Sequence, residues 1–157
     1  MRDAAISKTV SIQELAPLIL EAVSSGQSVK LTVPGKSMTP TLIDRVSQVR
    51  LEALSMPKRG DMVLYRRNNG QYILHRIVKC AKDGTFVLCG DSQYRLESGI
   101  RRDQLIAVVT AFKRRGDWIS CTNVLYQLWW RICVSMRGWR HLRSALARRI
   151  HIHQASL

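Results

Sequence analysis

The chain has 157 residues, of which 25 are Lys or Arg and 11 are Asp or Glu, leaving a formal net charge of +14. That length fits one domain with appendages and can bury a core without disulfide or metal staples. A composition that is 46% apolar and 23% charged excludes collagen-like, low-complexity and broadly disordered chains, so the charge excess is the unusual number and points to nucleic acid or a membrane surface.

The charge is uneven. Residues 1–110 carry +6 and residues 111–157 carry +8, the pattern of a body of modest charge with a basic tail. Asp3, Glu14 and Pro17 stand where the apolar run of a secretory signal would lie, and no cleavage signature follows. No stretch reaches the roughly 18 uninterrupted apolar residues of a spanning helix. The expectation is a chain with no cleavable signal and no full transmembrane span, cytoplasmic or peripherally membrane-associated. Cys80, Cys89, Cys121 and Cys133 are then reduced thiols.

Ser11-Ile12-Gln13-Glu14 reads as a capping box. Ile12, Leu15, Leu18, Ile19, Ala22 and Val23 then recur at helical spacing up to Gly26, while Pro17 predicts a kink or a late start. The run is about half the length of a bilayer-spanning helix, which makes it a docking helix on the domain body. From Val29 the period changes to two, and Val29–Val33 alternates as a strand until Pro34-Gly35 breaks it. Ser47–Leu54 alternates less cleanly. Lys58-Arg59-Gly60-Asp61 is turn chemistry, and Met62–Tyr65 is a short apolar strand. Asn68-Asn69-Gly70 marks one hairpin, and Asp83-Gly84, between Tyr72–Cys80 and Thr85–Cys89, marks a second. A two-residue loop there sets Cys80 against Val87, and Cys80 diagonal to Cys89, about 7–8 Å apart and too far for easy bridging. Leu105–Phe112 is a β-branched strand that Gly116-Asp117 turns back towards Trp118-Ile119.

After Ser120 the pattern turns helical. Leu125, Leu128, Trp129, Ile132, Cys133, Met136 and Trp139 fall on one stripe, with Arg131, Arg137, Arg140, Arg148 and Arg149 mostly on its flanks and back. A Trp-rich apolar side against arginine is the pattern of a helix lying in a membrane interface; the plainer alternative is a terminal helix packed on the domain.

Gly35-Lys36-Ser37-Met38-Thr39-Pro40-Thr41-Leu42 is the most informative stretch for chemistry. A serine after a strand and a glycine can expose its hydroxyl on a turn whose amides point at a developing oxyanion, although Ser before x-Pro is also common turn chemistry. The hydroxyl needs a base. His75, in the strand Tyr72–Cys80, is the only histidine of the first 110 residues, and Lys79 lies on the same strand face roughly 13 Å further along. Asp91 and Glu97 are the carboxylates available to orient a histidine. Strict hairpin register pairs Asp91 with Arg76, on the wrong face, so Asp91 reaches His75 only if the chain leaves the sheet at Gly90.

Together these segments resemble type I signal peptidases and the wider superfamily of the self-cleaving LexA-like repressors. The resemblance runs in order through the Ser37 box, Lys58-Arg59-Gly60-Asp61-Met62-Val63, His75-Arg76-Ile77-Val78, Gly90-Asp91 and Ala107-Val108-Val109, covering about residues 29 to 115. A histidine at the base position is similar to the endoplasmic-reticulum, archaeal and sporulation-type branch. The resemblance implies a mainly β, coiled-sheet peptidase domain of short strands, with Ser37 as nucleophile, His75 as general base and Asp91 as orienting carboxylate. Glu97 falls near a second acidic position of that branch. The oxyanion site would use the Ser37 amide with Lys36 or Gly35 nearby. The chemistry is acyl transfer on a peptide or protein bearing a leader or signal segment, with no cofactor and no metal.

The expected organisation is an N-terminal helix and lead-in over 1–28, a β-rich peptidase domain over 29–120, and a basic amphipathic tail over 121–157. Residues 119–157 are expected to meet an anionic membrane surface in place of the family's N-terminal anchor. No specific nucleic acid is expected, because neither a helix-turn-helix nor a stacking motif is present. The alternatives are a LexA-like regulatory or nucleic-acid-binding protein, and a catalytically idle membrane scaffold. Arg59-Gly60-Asp61 reads as a turn, and His141, His151 and His153 lack the partners of a metal site.

Overall fold

The computed structural model describes residues 12–136, which form a mainly β fold. Eight strands make one open antiparallel sheet: β1 (Val29–Thr32), β2 (Gln48–Ala53), β3 (Met62–Arg66), β4 (Tyr72–Cys80), β5 (Phe86–Cys89), β6 (Glu97–Ile100), β7 (Leu105–Lys113) and β8 (Ile119–Ser120). Their order is β1-β2-β7-β3-β4-β5-β6, with β8 on β7. Helices α1 (Ile12–Ser24) and α2 (Val124–Ser135) flank the chain's β segment. No helix among the described residues is long and apolar enough to cross a membrane.

The sheet is apolar on both faces, so its central strands read as near-continuous apolar runs rather than clean alternations. In β3, Met62 and Leu64 join a core with Ile19, Val23, Val49, Leu51 and Trp130. Val63 and Tyr65 point the other way, into a second core with Ile77, Phe86, Leu88 and Ile100. α1 buries Ala16, Ile19 and Val23. The Gln13 side chain holds its start in place by pairing with both the amide and the carbonyl of Tyr72, each at 3.0 Å. The helix runs unbroken from Ile12 with Pro17 inside it, so the predicted late start does not occur. Ser11, the expected cap, lies outside the described residues.

One expectation needs correction. The Asp83-Gly84 hairpin is not a two-residue loop. The Ala81 amide donates to the Thr85 carbonyl and the Gly84 amide to the Ala81 carbonyl, with Gly84 at φ +81°. A left-handed glycine closing a three-residue loop shifts the register by one. Cys80 therefore faces Phe86, and a bulge between Ile77 and Lys79 sets Arg76 opposite Cys89. All four cysteines are free thiols. β6 is a strand that periodicity does not reveal, because Ile100 is its one buried residue. In α2 the predicted stripe is mostly turned away from the domain, and a neighbouring arc packs on it. Asn123 caps it by accepting from the Leu125 and Tyr126 amides, and Tyr126, Trp130 and Cys133 are buried. Of the predicted stripe, Leu125, Leu128, Trp129, Ile132 and Met136 are exposed. Trp139, Arg137, Arg140, Arg148, Arg149 and the three C-terminal histidines lie outside the described residues.

Candidate active site

The Ser37 loop is held on both sides of the serine. Gly35, at φ +97°, donates its amide to Asp44 Oδ1 at 2.7 Å. Met38 and Leu42 sink into the first core, leaving Ser37 half-buried between anchors. The loop is then fastened to the segment after β5. The Ser92 amide donates to the Ser37 carbonyl at 2.9 Å. The Ser92 hydroxyl lies 2.8 Å from the Lys36 carbonyl and 2.9 Å from that of Ser37, sharing its proton between them. The fit at Gly90 is tight: a Cβ there would meet the Ser37 carbonyl oxygen at 2.5 Å. The chain thus leaves the sheet after Cys89 and passes directly over the serine loop.

His75 lies one residue before the Arg76–Cys89 rung. It is 2% exposed, and it shares its sheet face with Val63, across from it in register. Its Nδ1 is 3.4 Å from Glu97 Oε1 and 3.3 Å from the Tyr65 hydroxyl. Glu97 is in turn clamped by Arg67, whose Nε donates to Oε2 at 2.8 Å and whose Nη2 donates to Oε1. Burial pushes the His75 pKa down to about 4, against the pull of the Glu97 carboxylate, so the ring is neutral at pH 7. Burial also works to raise the Glu97 pKa, but the hydrogen bonds from Arg67 and Tyr65 prevail and hold it below the usual range. A carboxylate at Nδ1 favours the proton there, which leaves Nε2 as the basic nitrogen.

Asp91 occupies a different part of the same assembly. Arg76, fully buried, points to the opposite face of β4 from His75. It donates from Nε to Asp91 Oδ1 at 2.8 Å and from Nη2 to Asp91 Oδ2 at 2.6 Å. Its Nη1 donates to the Gly60 carbonyl and to the Tyr126 hydroxyl, both at 2.8 Å. The Thr41 hydroxyl, four residues past Ser37, donates to Asp91 Oδ2. This buried network ties β4, the serine loop and α2 together. Of the two carboxylates that the sequence leaves open, Glu97 stands at His75 Nδ1, while Asp91 holds Arg76 and Thr41 and adds its field to His75 from nearby.

Neither Ser37 Oγ nor His75 Nε2 makes a hydrogen bond among the described residues. The Ser37 amide is also without an acceptor there, whereas the Gly35 amide is committed to Asp44, which removes Gly35 from the expected oxyanion donors. Lys79 lies in the exposed half of β4 beyond the bulge. A cleft of about 660 Å³, lined by Arg67, Ser92, Gln93, Tyr94, Arg95 and Glu97, opens beside the Glu97 carboxylate.

Tyr65, Arg67, Thr41 and Tyr126 escaped the sequence reading. Arg76 carried a usable signal: a charged residue inside an apolar strand must have a buried partner. Comparison with protein-family models and with curated proteins finds no match for this chain.

Proposed function

We propose that this chain is a serine endopeptidase of signal-peptidase type, built on a signal peptidase/LexA-like sheet and cleaving leader or signal segments from peptides. The observation that carries the reading is the neutral, buried His75 with Glu97 at Nδ1, together with a serine loop fastened through the Ser37 carbonyl to Ser92. In this mechanism His75 Nε2 takes the Ser37 proton as Oγ attacks the peptide carbonyl, and the Ser37 amide stabilises the oxyanion. His75 then returns the proton to the leaving amine, and water repeats the cycle on the acyl-enzyme. Glu97 fixes the ring and stabilises the transient imidazolium. Asp91 is a positioning residue that acts through Arg76 and Thr41, and the cleft beside Glu97 receives the peptide. The exposed apolar face of α2 supports work at an anionic membrane surface.

The test is co-expression with secreted precursor peptides, with cleavage read by mass spectrometry. Ser37→Ala and His75→Ala should each abolish processing without altering the folded protein's circular dichroism. Undiminished processing by either variant refutes the peptidase reading and leaves the idle membrane scaffold.

A further inference from the structure

α2 leaves one side uncovered. Val124, Leu125, Leu128, Trp129, Ile132 and Met136 are exposed, Leu125 at 76%. At 3.6 residues per turn these six positions span an arc of about 140°. Tyr126, Trp130 and Cys133 occupy the buried side.

Cations rim this arc. At one edge Lys58 and Arg59, from the turn before β3, share a pocket of about 560 Å³ with Gln127, Trp130 and Arg131. The Arg131 guanidinium stacks over the Trp130 ring at 5.8 Å. Gly60 lies so close to that ring that a Cβ would come within 2.5 Å of it, so turn and helix fix the pocket walls against each other. Lys58, Arg59 and Arg131 form no salt bridge among the described residues. Asp61 accepts from the Lys58 amide at 2.9 Å, is half-buried and interacts electrostatically with the Lys58 ammonium without a salt bridge to it. At the other edge Arg114 lines a groove of about 350 Å³ with Ile119, Leu125 and Trp129.

We propose that the α2 arc lies in the surface of an anionic phospholipid bilayer and that the Lys58–Arg59–Arg131 pocket takes the phosphate of a lipid headgroup. This rests on the membrane-surface reading above and adds a specific site to it, partly on the body of the domain. Charge complementarity selects the occupant. Unpaired guanidinium forks suit phosphate oxygens. Their place at the border of the apolar arc matches headgroup depth when that arc enters the acyl boundary, and tryptophan favours the same level. A protein partner would cover the arc equally well but gives no reason for unpaired cations on both of its rims.

The experiment is vesicle flotation of the full chain, using phosphatidylcholine alone or with phosphatidylglycerol. Arg59→Gln/Arg131→Gln is compared with Lys82→Gln/Arg101→Gln, which removes the same charge from the β4–β5 turn and the segment after β6. Wild type should float with the anionic vesicles. Each cation near the surface contributes about fivefold, so the pocket variant should bind roughly 25-fold more weakly, and the control variant about as well as wild type. Equal losses in the two variants overturn the pocket and leave bulk charge attraction. Failure of wild type to float overturns the membrane reading as well. Inorganic phosphate that binds the soluble chain, read from tryptophan emission, and prevents flotation at micromolar concentration would overturn the lipid as the phosphate source. None of these readouts depends on peptidase activity.

Discussion

His75 makes the stability of this fold depend on pH in a window that its own burial sets. Its pKa falls from 6.5 in the unfolded chain to about 4 in the folded one. Between those values the unfolded chain holds a proton that the folded chain refuses, so stability is complete above pH 6.5 and is lost as pH falls towards 4. A shift of about 2.5 units, at 1.36 kcal/mol per unit, corresponds to about 3 kcal/mol. That is a large fraction of the roughly 5–15 kcal/mol of a typical domain. The assay is urea unfolding of wild type and His75→Gln at pH 7.5 and pH 4. Carboxylates titrate in both proteins, so the difference between the two pH dependences isolates the imidazole. Wild type should lose about 3 kcal/mol more than the variant over this range. Should His75→Gln fail to fold, the histidine Cε1 proton resonances of wild type give the same answer, with one ring titrating near 4. Equal pH dependences, or the absence of any histidine titrating near 4, would refute the argument that burial dominates this site.

Two substitutions test the support around the serine. Gly90→Ala places a methyl 2.5 Å from the Ser37 carbonyl oxygen. Backbone must shift to relieve that contact, so a loss of about 1–3 kcal/mol is expected by thermal melting, together with a fall in processing; Gly84→Ala, strained by its φ of +81° in the β4–β5 turn, should cost stability without that fall. Asp91→Asn leaves the buried Arg76 guanidinium without its counter-charge. Breaking a buried pair by one partner costs about 3–5 kcal/mol, which urea unfolding reads directly, and a loss under about 1 kcal/mol would show that Asp91 is dispensable to the fold.

What could be read from residues alone divides along local and non-local lines. β4 and β7 were legible because nine-residue apolar strands bounded by turn residues need nothing beyond themselves for recognition. The Ser37 loop was legible as a turn, yet its anchoring depends on Ser92, 55 residues further along, and on the core that receives Met38 and Leu42. The Glu97–His75 contact was the least accessible. It requires β6, a strand with a single buried side chain, to pair with β5 so that Glu97 stands opposite Leu88. The two sides of α2 have different determinants. Hydrophobic periodicity weights leucine, isoleucine and tryptophan above tyrosine and so selected the outer arc. The buried arc is chosen by Arg76, which needs an acceptor in the Tyr126 hydroxyl and ring faces in Tyr126 and Trp130. A buried cation thus overrides the larger apolar face.

The same reasoning gives Arg67 an effect on the base without any contact between them being required. Glu97 is shared: Arg67 grips both carboxylate oxygens, and His75 Nδ1 lies against one of them. A carboxylate already neutralised by a guanidinium stabilises an imidazolium less than an unshared one does, and the Arg67 charge itself disfavours a second cation nearby. Both effects push His75 in the direction that burial pushes it. Arg67→Gln, which keeps an amide donor but removes the charge, should therefore raise the His75 pKa, while Glu97→Gln, which removes the one favourable charge at Nδ1, should lower it further. The two variants displace the His75 Cε1 titration in opposite directions, and the acid limb of kcat/KM should move with each. A titration that stays in place in Arg67→Gln, or falls, would mean that burial alone sets the base and that the Arg67–Glu97 clamp is only a strut for β6.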